Sequence, residues 1–149
     1  MKETTSVLED LFETVENGRK GFAEAAEKLE GDGHDALAAE MRELSRERAR
    51  ISDELRTLAV AEGVELDGEE GTAAGAMHRA WMALKDALTG DDPHAVLAAA
   101  EQGEDHAVSE YENALGESLP ESIRSVVSRQ ANDIRAAHDR VRALRDSNA

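Results

Sequence analysis

The sequence predicts an all-α protein, and three features lead to that prediction. Helix-favouring Ala, Leu, Glu and Arg dominate the 149 residues, whereas there are only two prolines and aromatic residues make up 3%. Apolar residues recur every three to four positions over long stretches. Most glycine and proline turn signals lie between those stretches. The length fits a single domain over residues 1–149, large enough to fold without metals or disulfides.

The first two helices are predicted over residues 5–30 and 35–61. The first starts at the capping box Ser6–Glu9 and stops at "GDG" (31–33). The stretch "VENGRKGF" (15–22) contains Asn-Gly, a strong turn signal, but the apolar phase continues through it, so we expect one uninterrupted helix. The second helix carries a stripe spaced alternately by four and three residues, as in an antiparallel partner. That stripe consists of Leu37, Met41, Leu44, Arg48, Ile51, Leu55 and Leu58.

Three further helices are predicted over residues 72–89, 93–116 and 119–146. The preceding "EGVELDGEEG" (62–71) has the composition of a loop and is longer than most connections in a compact domain, which predicts a crossover. "DDP" supplies an N-cap aspartate and a proline at a first helical position, and "SLPE" is a second capping box with a proline inside it. The predicted architecture is therefore two helical hairpins joined by a long crossover that contains a short extra helix.

Each of the four long helices has one unusual residue near its middle. Two glycines and an asparagine inside the first helix cost about 2 kcal/mol relative to alanine, which predicts a packing role that offsets the cost. When the first hairpin is folded about its loop, Gly18 reaches the level of Arg48 and leaves room for it. Our hypothesis is a buried polar layer in which Arg48 pairs with Glu104 and Gln130 takes the remaining hydrogen bonds. The alternative is that Arg48 extends to the edge and Glu104 faces water.

Two hairpins joined by a long crossover is the ferritin-like connectivity, so we expect a ferritin-like four-helix bundle. Three segments of the sequence resemble a bacterial family of uncharacterised ferritin-like four-helix-bundle proteins, a domain of unknown function. These segments are "GAMHRAWMALKDALTG", "AEQGEDHAVSEYENAL" and "RQANDIRAAHDRVRALRD". The resemblance covers nearly the whole chain. It implies the fold, and it implies no site residues because that family has no agreed activity.

Di-iron relatives place an inward carboxylate on each of two helices and Glu-x-x-His on the other two. Here the first helix offers Gly18, the second Glu47-Arg-Ala-Arg50, and the last Gln130-Ala-Asn-Asp133, so only Glu104 fits in place and type. We therefore expect no di-iron centre and no cofactor. The alternative is a site for iron, manganese or zinc with non-standard ligands drawn from a set of acidic and imidazole side chains. That set is Glu47, Glu101, Glu104, Asp133 and His138.

Two of those residues, His138 and Glu101, fall at similar levels of their helices and would form either part of a metal site or a structural hydrogen bond. His78 and Trp81 share the predicted crossover helix. They would either cover one end of the bundle or form the interface of a homodimer, since tryptophan is a frequent interface anchor. The sequence leaves both choices open.

Composition excludes several functional classes. With 33 Asp+Glu against 17 Lys+Arg the formal charge is −16, so we expect no binding to nucleic acid or to an anionic membrane surface. Cysteine is absent, and no phosphate-binding glycine loop or Ser/His/Asp arrangement occurs. The start "MKETTSVLEDLF" is too charged for a signal peptide and no apolar run is long enough for a membrane span. We expect a cytoplasmic, non-enzymatic protein that acts by protein–protein interaction, and family analogy adds an association with stress.

Overall fold

The computed structural model describes residues 3–66 and 82–148, and within these ranges every regular element is a helix. The four long helices are α1 (Thr4–Gly31), α2 (Asp35–Ala61), α3 (Pro93–Leu115) and α4 (Glu121–Ser147). Residues 82–87 add a short helical stretch before α3. No described helix combines the length and the apolar character that crossing a membrane requires.

The predicted bounds of α1 and α2 hold to within one residue, but the predicted start signal of α1 is wrong. Glu3 occupies the N-cap position without a side-chain cap bond, so Ser6 lies inside the helix and does not form a capping box. The predicted stop is present: Gly33 adopts φ 87°, and the His34 amide donates to the Leu29 carbonyl oxygen over 2.8 Å. The helix passes through "VENGRKGF" without a break.

In the second hairpin, the predicted start of α3 is confirmed and the predicted start of α4 is wrong. The Asp92 side chain accepts a hydrogen bond from the His94 amide over 3.0 Å, with Pro93 in the first turn of α3. In contrast, α4 begins at Glu121, and Pro120 is its N-cap in an extended conformation with no side-chain cap bond. The expected start at residue 119 was wrong because a residue that precedes proline is disfavoured in the helical region.

The long helices pack in the ring order α1, α2, α4, α3, so α2 and α3 lie diagonally opposite each other. The closest packing is within the hairpins, and the contact between α2 and α4 is the loosest. Because the described chain leaves α2 at one end of the molecule and enters α3 at the other, α2 and α3 run parallel.

Two apolar clusters fill the interior, one toward each end of the helices. The first holds Leu8, Phe12 and Leu55, and the second holds Phe22, Met41 and Leu97, with further buried residues in each. Leu66 belongs to the first cluster and Leu84 to the second. A layer of buried polar side chains separates the two clusters, and this layer contains the candidate site.

Candidate functional site

The central feature of the molecule is an ion pair between Arg48 on α2 and Glu104 on α3. Their side chains are 1% and 2% exposed, and an Arg48 Nη2–H donates to Oε2 of Glu104. Because α2 and α3 are diagonal neighbours, this bond crosses the middle of the helical core. The structure thus brings together the two residues that the sequence predicted to pair.

Two neighbours, Phe22 and Gly18, accommodate the guanidinium of Arg48. Its Cζ lies 5.2 Å from the centroid of the Phe22 ring, which is a cation–π distance. A Cβ placed on Gly18 would lie 2.5 Å from Nη1 of Arg48, so only glycine leaves the space that this side chain occupies. Among the described residues, Nε and Nη1 of Arg48 have no hydrogen-bond acceptor.

Two opposing effects act on the pKa of the Glu104 carboxyl group. Burial raises the pKa of its carboxyl group, while the adjacent Arg48 guanidinium favours the charged form. A carboxylate and a guanidinium at hydrogen-bonding distance compensate each other, whereas either one alone would be a buried unpaired charge. The pair is therefore best regarded as one unit.

Gln130 is fully buried on α4 but does not take part in the Arg48–Glu104 pair, so that part of the expectation was wrong. Its Oε1 accepts from the Tyr111 hydroxyl over 2.8 Å, and its Nε2 donates to Oε1 of Glu54 over 3.2 Å. The sequence comparison placed Glu104 level with residues 130–134, and that span is more than one helical turn. Gln130 is bonded instead to Tyr111, which belongs to the first apolar cluster.

A small cavity of about 50 Å³ lies beside Arg48, between α1 and α3. Its walls are mostly apolar and its helical sides consist of small residues: Gly18 and Gly21 on α1, and Ala99, Ala100 and Gly103 on α3. Two polar groups with no hydrogen-bond partner among the described residues line it, namely Arg48 and the hydroxyl of Thr14.

A second polar group forms around His138 on α4. Its Nε2 lies 2.6 Å from Oδ1 of Asp105 and 3.8 Å from Oε2 of Glu101, and its Nδ1 lies 3.1 Å from Oδ1 of Asp139. Burial lowers the pKa of the His138 imidazole, but hydrogen bonds to Asp139 and Asp105 outweigh burial and raise it above its usual value.

The structure brings Glu101 and His138 to the same level, and it adds Asp105, which the sequence analysis missed. Asp105 has a largely exposed side chain, so its position off the inner stripe gave no signal. The ligand atoms of Glu101, Asp105 and His138 all lie within 4.8 Å of one another, a spacing that one metal ion could bridge. Glu101 already accepts hydrogen bonds from Arg142 Nε over 3.0 Å and from the Arg145 guanidinium.

The other candidate ligands lie apart from that group. Glu47 on α2 and Asp133 on α4 line a groove between these helices, together with Arg50 and Arg129. Burial raises the pKa of the Glu47 carboxyl, and the charge of Arg48 opposes this shift. Within residues 3–66 and 82–148, neither Glu47 nor Asp133 belongs to a closely spaced set of three ligands.

The side chains at the centre do not fit a di-iron centre of the ferritin type. The one carboxylate in place, Glu104, is bonded to Arg48, and the facing position on α1 is Gly18, which offers no ligand. A fixed guanidinium adds positive charge where a metal site must stabilise cations. The predicted interface residues His78 and Trp81 lie outside the described residues.

Over the residues that the structure describes, the protein is therefore all-helical, and its helices enclose a buried ion pair at the centre. A family model described as "Domain of unknown function (DUF2383)" matches residues 3–117, and the chain belongs to that family. The match includes both members of the ion pair, while α4 lies beyond it. A comparison with curated proteins gave no match.

Proposed function

We propose that this protein is a ferritin-like four-helix bundle that acts as a non-enzymatic interaction protein, with an ion pair in the place where di-iron relatives bind metal. The observation that carries the proposal is the Arg48–Glu104 pair, buried at the centre of the helical core. The diagonal, parallel arrangement of α2 and α3 supports the ferritin-like connectivity, because a long crossover produces that arrangement.

The proposed partner is a second copy of the chain, and the proposed contact includes His78 and Trp81. Tryptophan is enriched among residues that dominate binding energy at interfaces. The next residue, Met82, is one of two large hydrophobic residues that are exposed in the described part of the chain. The association with stress rests on the resemblance alone.

Metal analysis of protein purified without chelators tests the absence of a di-iron centre. We expect no stoichiometric iron, manganese or zinc, and an unchanged melting temperature when these ions are added, since a ligand that binds only the folded state raises it. Stoichiometric metal that is lost in Glu104→Ala but retained in Glu112→Ala would overturn the proposal. Glu112 is a suitable control because its side chain is 61% exposed on the same helix.

Light scattering coupled to gel filtration tests the proposed partner. We expect the mass of two chains for the wild type and a shift toward one chain in Trp81→Ala. Val60→Ala is the matched control, because Val60 is 71% exposed and lies away from the proposed contact in sequence. A wild-type mass of one chain at all concentrations, or an unchanged dimer in Trp81→Ala, would refute this part of the proposal.

A second candidate function, metal binding, is favoured by the cluster of Glu101, Asp105 and His138. Two carboxylates and an imidazole suit zinc, manganese or iron. The contact between Nδ1 of His138 and Asp139 resembles the carboxylate contact that orients metal-binding histidines. The arginines that already bond to Glu101 weigh against this candidate.

The same metal analysis separates the two candidates through its variants. Metal that is lost in His138→Ala and Asp105→Asn but retained in Glu104→Ala would support the second candidate and place the ion at the cluster. His106→Ala is the matched control, since His106 lies on the same helix as Asp105 and outside the cluster.

A further inference from the structure

Two arginines of α4 engage the buried carboxylate of the His138 cluster. Oε2 of Glu101 accepts from Nε–H of Arg142 over 3.0 Å, and Oε1 of Glu101 accepts from the Arg145 guanidinium. Nε2 of His138 contacts Asp105 instead, and it stays 3.8 Å from Oε2 of Glu101. Each oxygen of Glu101 is therefore held by a cation, although Glu101 stands at the distance of a metal ligand from the other two residues.

These two cations oppose a metal ion through their charge. A carboxylate oxygen has two lone pairs, so Oε2 of Glu101 can accept from Arg142 and still bind an ion. The fixed positive charges nevertheless repel a divalent cation at this short range, and they neutralise the carboxylate that would attract it. An ion at the cluster consequently binds more weakly than it would to the same three ligands without the arginines.

Both arginines have room to release Glu101. The Arg145 guanidinium also donates through Nη2 to Oδ1 of Asp146 over 2.8 Å. The side chain of Arg145 is 30% exposed and that of Arg142 is 53% exposed, so neither is enclosed by packing in the way that Arg48 is. Release of Glu101 would leave Arg145 bonded to Asp146 and return Arg142 to water.

The donor set selects the class of ion. One imidazole and two carboxylates suit zinc and its first-row neighbours, whereas calcium takes roughly six to eight oxygen ligands. Nδ1 of His138 lies against Asp139, which leaves Nε2 as the ring nitrogen that faces the two candidate carboxylate ligands. The side chain of Asp105 is largely exposed, so the cluster opens to solvent on that side.

We propose that Arg142 and Arg145 regulate this cluster as a metal site. By holding Glu101 they keep its affinity for zinc-class ions low, so the site fills only when the free ion is abundant. The inference rests on the second candidate function, metal binding, and deepens it by naming what controls the site. It is consistent with the expected absence of stoichiometric metal after purification.

Isothermal titration calorimetry of the full chain with zinc chloride tests the proposal. We expect the wild type to bind weakly, and Arg142→Gln and Arg145→Gln each to bind zinc about tenfold more tightly, because each removes one positive charge close to the ion. Each variant leaves the other arginine on Glu101, so this buried carboxylate keeps a partner. Circular dichroism checks that the variants are folded.

Two further variants locate the effect. Arg135→Gln is the matched control, because Arg135 is exposed on the same helix and pairs with Glu112, and it should change zinc affinity by less than about twofold. His138→Ala in the Arg142→Gln background should lose the added affinity, since it removes the imidazole ligand.

The outcomes distinguish this inference from the metal-binding candidate itself. Equal zinc affinity in the wild type and both arginine variants, or weaker binding by the variants, would overturn the regulation and leave metal binding standing as long as His138→Ala abolishes it. No zinc binding by any variant would overturn both. Tighter binding that persists without His138 would also contradict the inference, because the ion would then lie elsewhere.

Discussion

At the residue scale, the position of Arg48 depends on a single absent methyl group. The guanidinium is buried, bonded to Glu104 and stacked near Phe22, so it has little freedom to move away from a new neighbour. Gly18 is therefore kept in a helix interior despite its unfavourable propensity. Substitution by alanine should therefore destabilise the protein at Gly18, and it should stabilise the protein at a helical glycine that has no such close neighbour.

Gly18→Ala should lower the free energy of unfolding by about 1 to 3 kcal/mol, the usual cost of overpacking, although alanine is the better helix former. Gly103→Ala should raise it by up to about 1 kcal/mol, because a Cβ there meets no atom within 4 Å. Urea unfolding of both variants measures the difference. Equal stabilisation by the two substitutions would contradict the close approach of Arg48 to α1.

Tyr111 offers a second prediction at this scale. Its hydroxyl donates to Gln130, which is fully buried, and burial raises the pKa of the Tyr111 hydroxyl, so it remains protonated as a donor. Tyr111→Phe leaves Oε1 of Gln130 without this donor and should cost about 1 to 3 kcal/mol in chemical denaturation.

The control for Tyr111→Phe is Thr57→Val, which removes an exposed hydroxyl that bonds to the Asp53 carbonyl oxygen over 3.0 Å. It should change stability by less than about 0.5 kcal/mol. Similar losses in the two variants would mean that the Tyr111–Gln130 bond is not a significant stabilising contact.

At the element scale, the helices were predictable because their signals are local. The stripes of three and four residues set the spans of α1 and α2 to within one residue, and the Asp92 cap and Gly33 stop are visible in the sequence. The capping box at Ser6 was not formed, because α1 begins earlier, at Thr4. The last helix begins at Glu121, later than predicted, because Pro120 keeps residue 119 out of the helix.

The contact between α1 and α2 includes a carboxylate that should make stability depend on pH. Ser52 Oγ–H donates to Oε2 of Glu16 over 2.8 Å, and Arg19 Nε–H donates to the same oxygen over 2.7 Å. Burial acts to raise the pKa of Glu16, but the hydrogen bonds from Arg19 and Ser52 outweigh it and lower the pKa below 4.5. Glu16 therefore stabilises the fold above pH 4.5, and this contribution is lost as the pH falls through its folded-state pKa.

Urea unfolding of the wild type and Glu16→Gln across pH 6 to pH 3 checks this linkage. We expect the stability difference between them to be largest at the upper end and to shrink as the pH falls. Glu9→Gln, an exposed position on the same helix, should show a small difference that hardly varies. A difference that grows on acidification would have the wrong sign for this account.

At the scale of the whole molecule, the sequence could predict only those contacts of the site that join residues on the apolar stripes of two helices, such as the Arg48–Glu104 pair. Arg48 and Glu104 each stand on a core stripe, so burying both helices forces the two charges together. Asp105 and Glu54 lie off the stripes, and their contacts with His138 and Gln130 depend on the relative height of helices, which periodicity does not fix to better than a turn. The cavity beside Arg48 is likewise a product of packing between helices that are distant in sequence.

Charge distribution also belongs to this scale. The chain carries a formal charge of −16, yet its most buried charges form a balanced pair. The loosest helix contact, between α2 and α4, includes several ion pairs. In one of them, Arg140 Nε–H donates to Oε2 of Glu40 over 3.1 Å. Such exposed pairs contribute little individually, so the central pair should dominate the electrostatic part of stability.

A double-mutant cycle on Arg48 and Glu104, measured by urea unfolding, tests the central claim most directly. We expect Arg48→Met and Glu104→Leu each to cost about 3 to 5 kcal/mol, because each leaves a buried unpaired charge, and the double variant to recover most of that loss. The exposed pair Arg135 and Glu112, treated in the same way with alanine, should show coupling below about 1 kcal/mol. Additive losses at Arg48 and Glu104 would contradict the account, since they would show that the two side chains do not act as one buried unit.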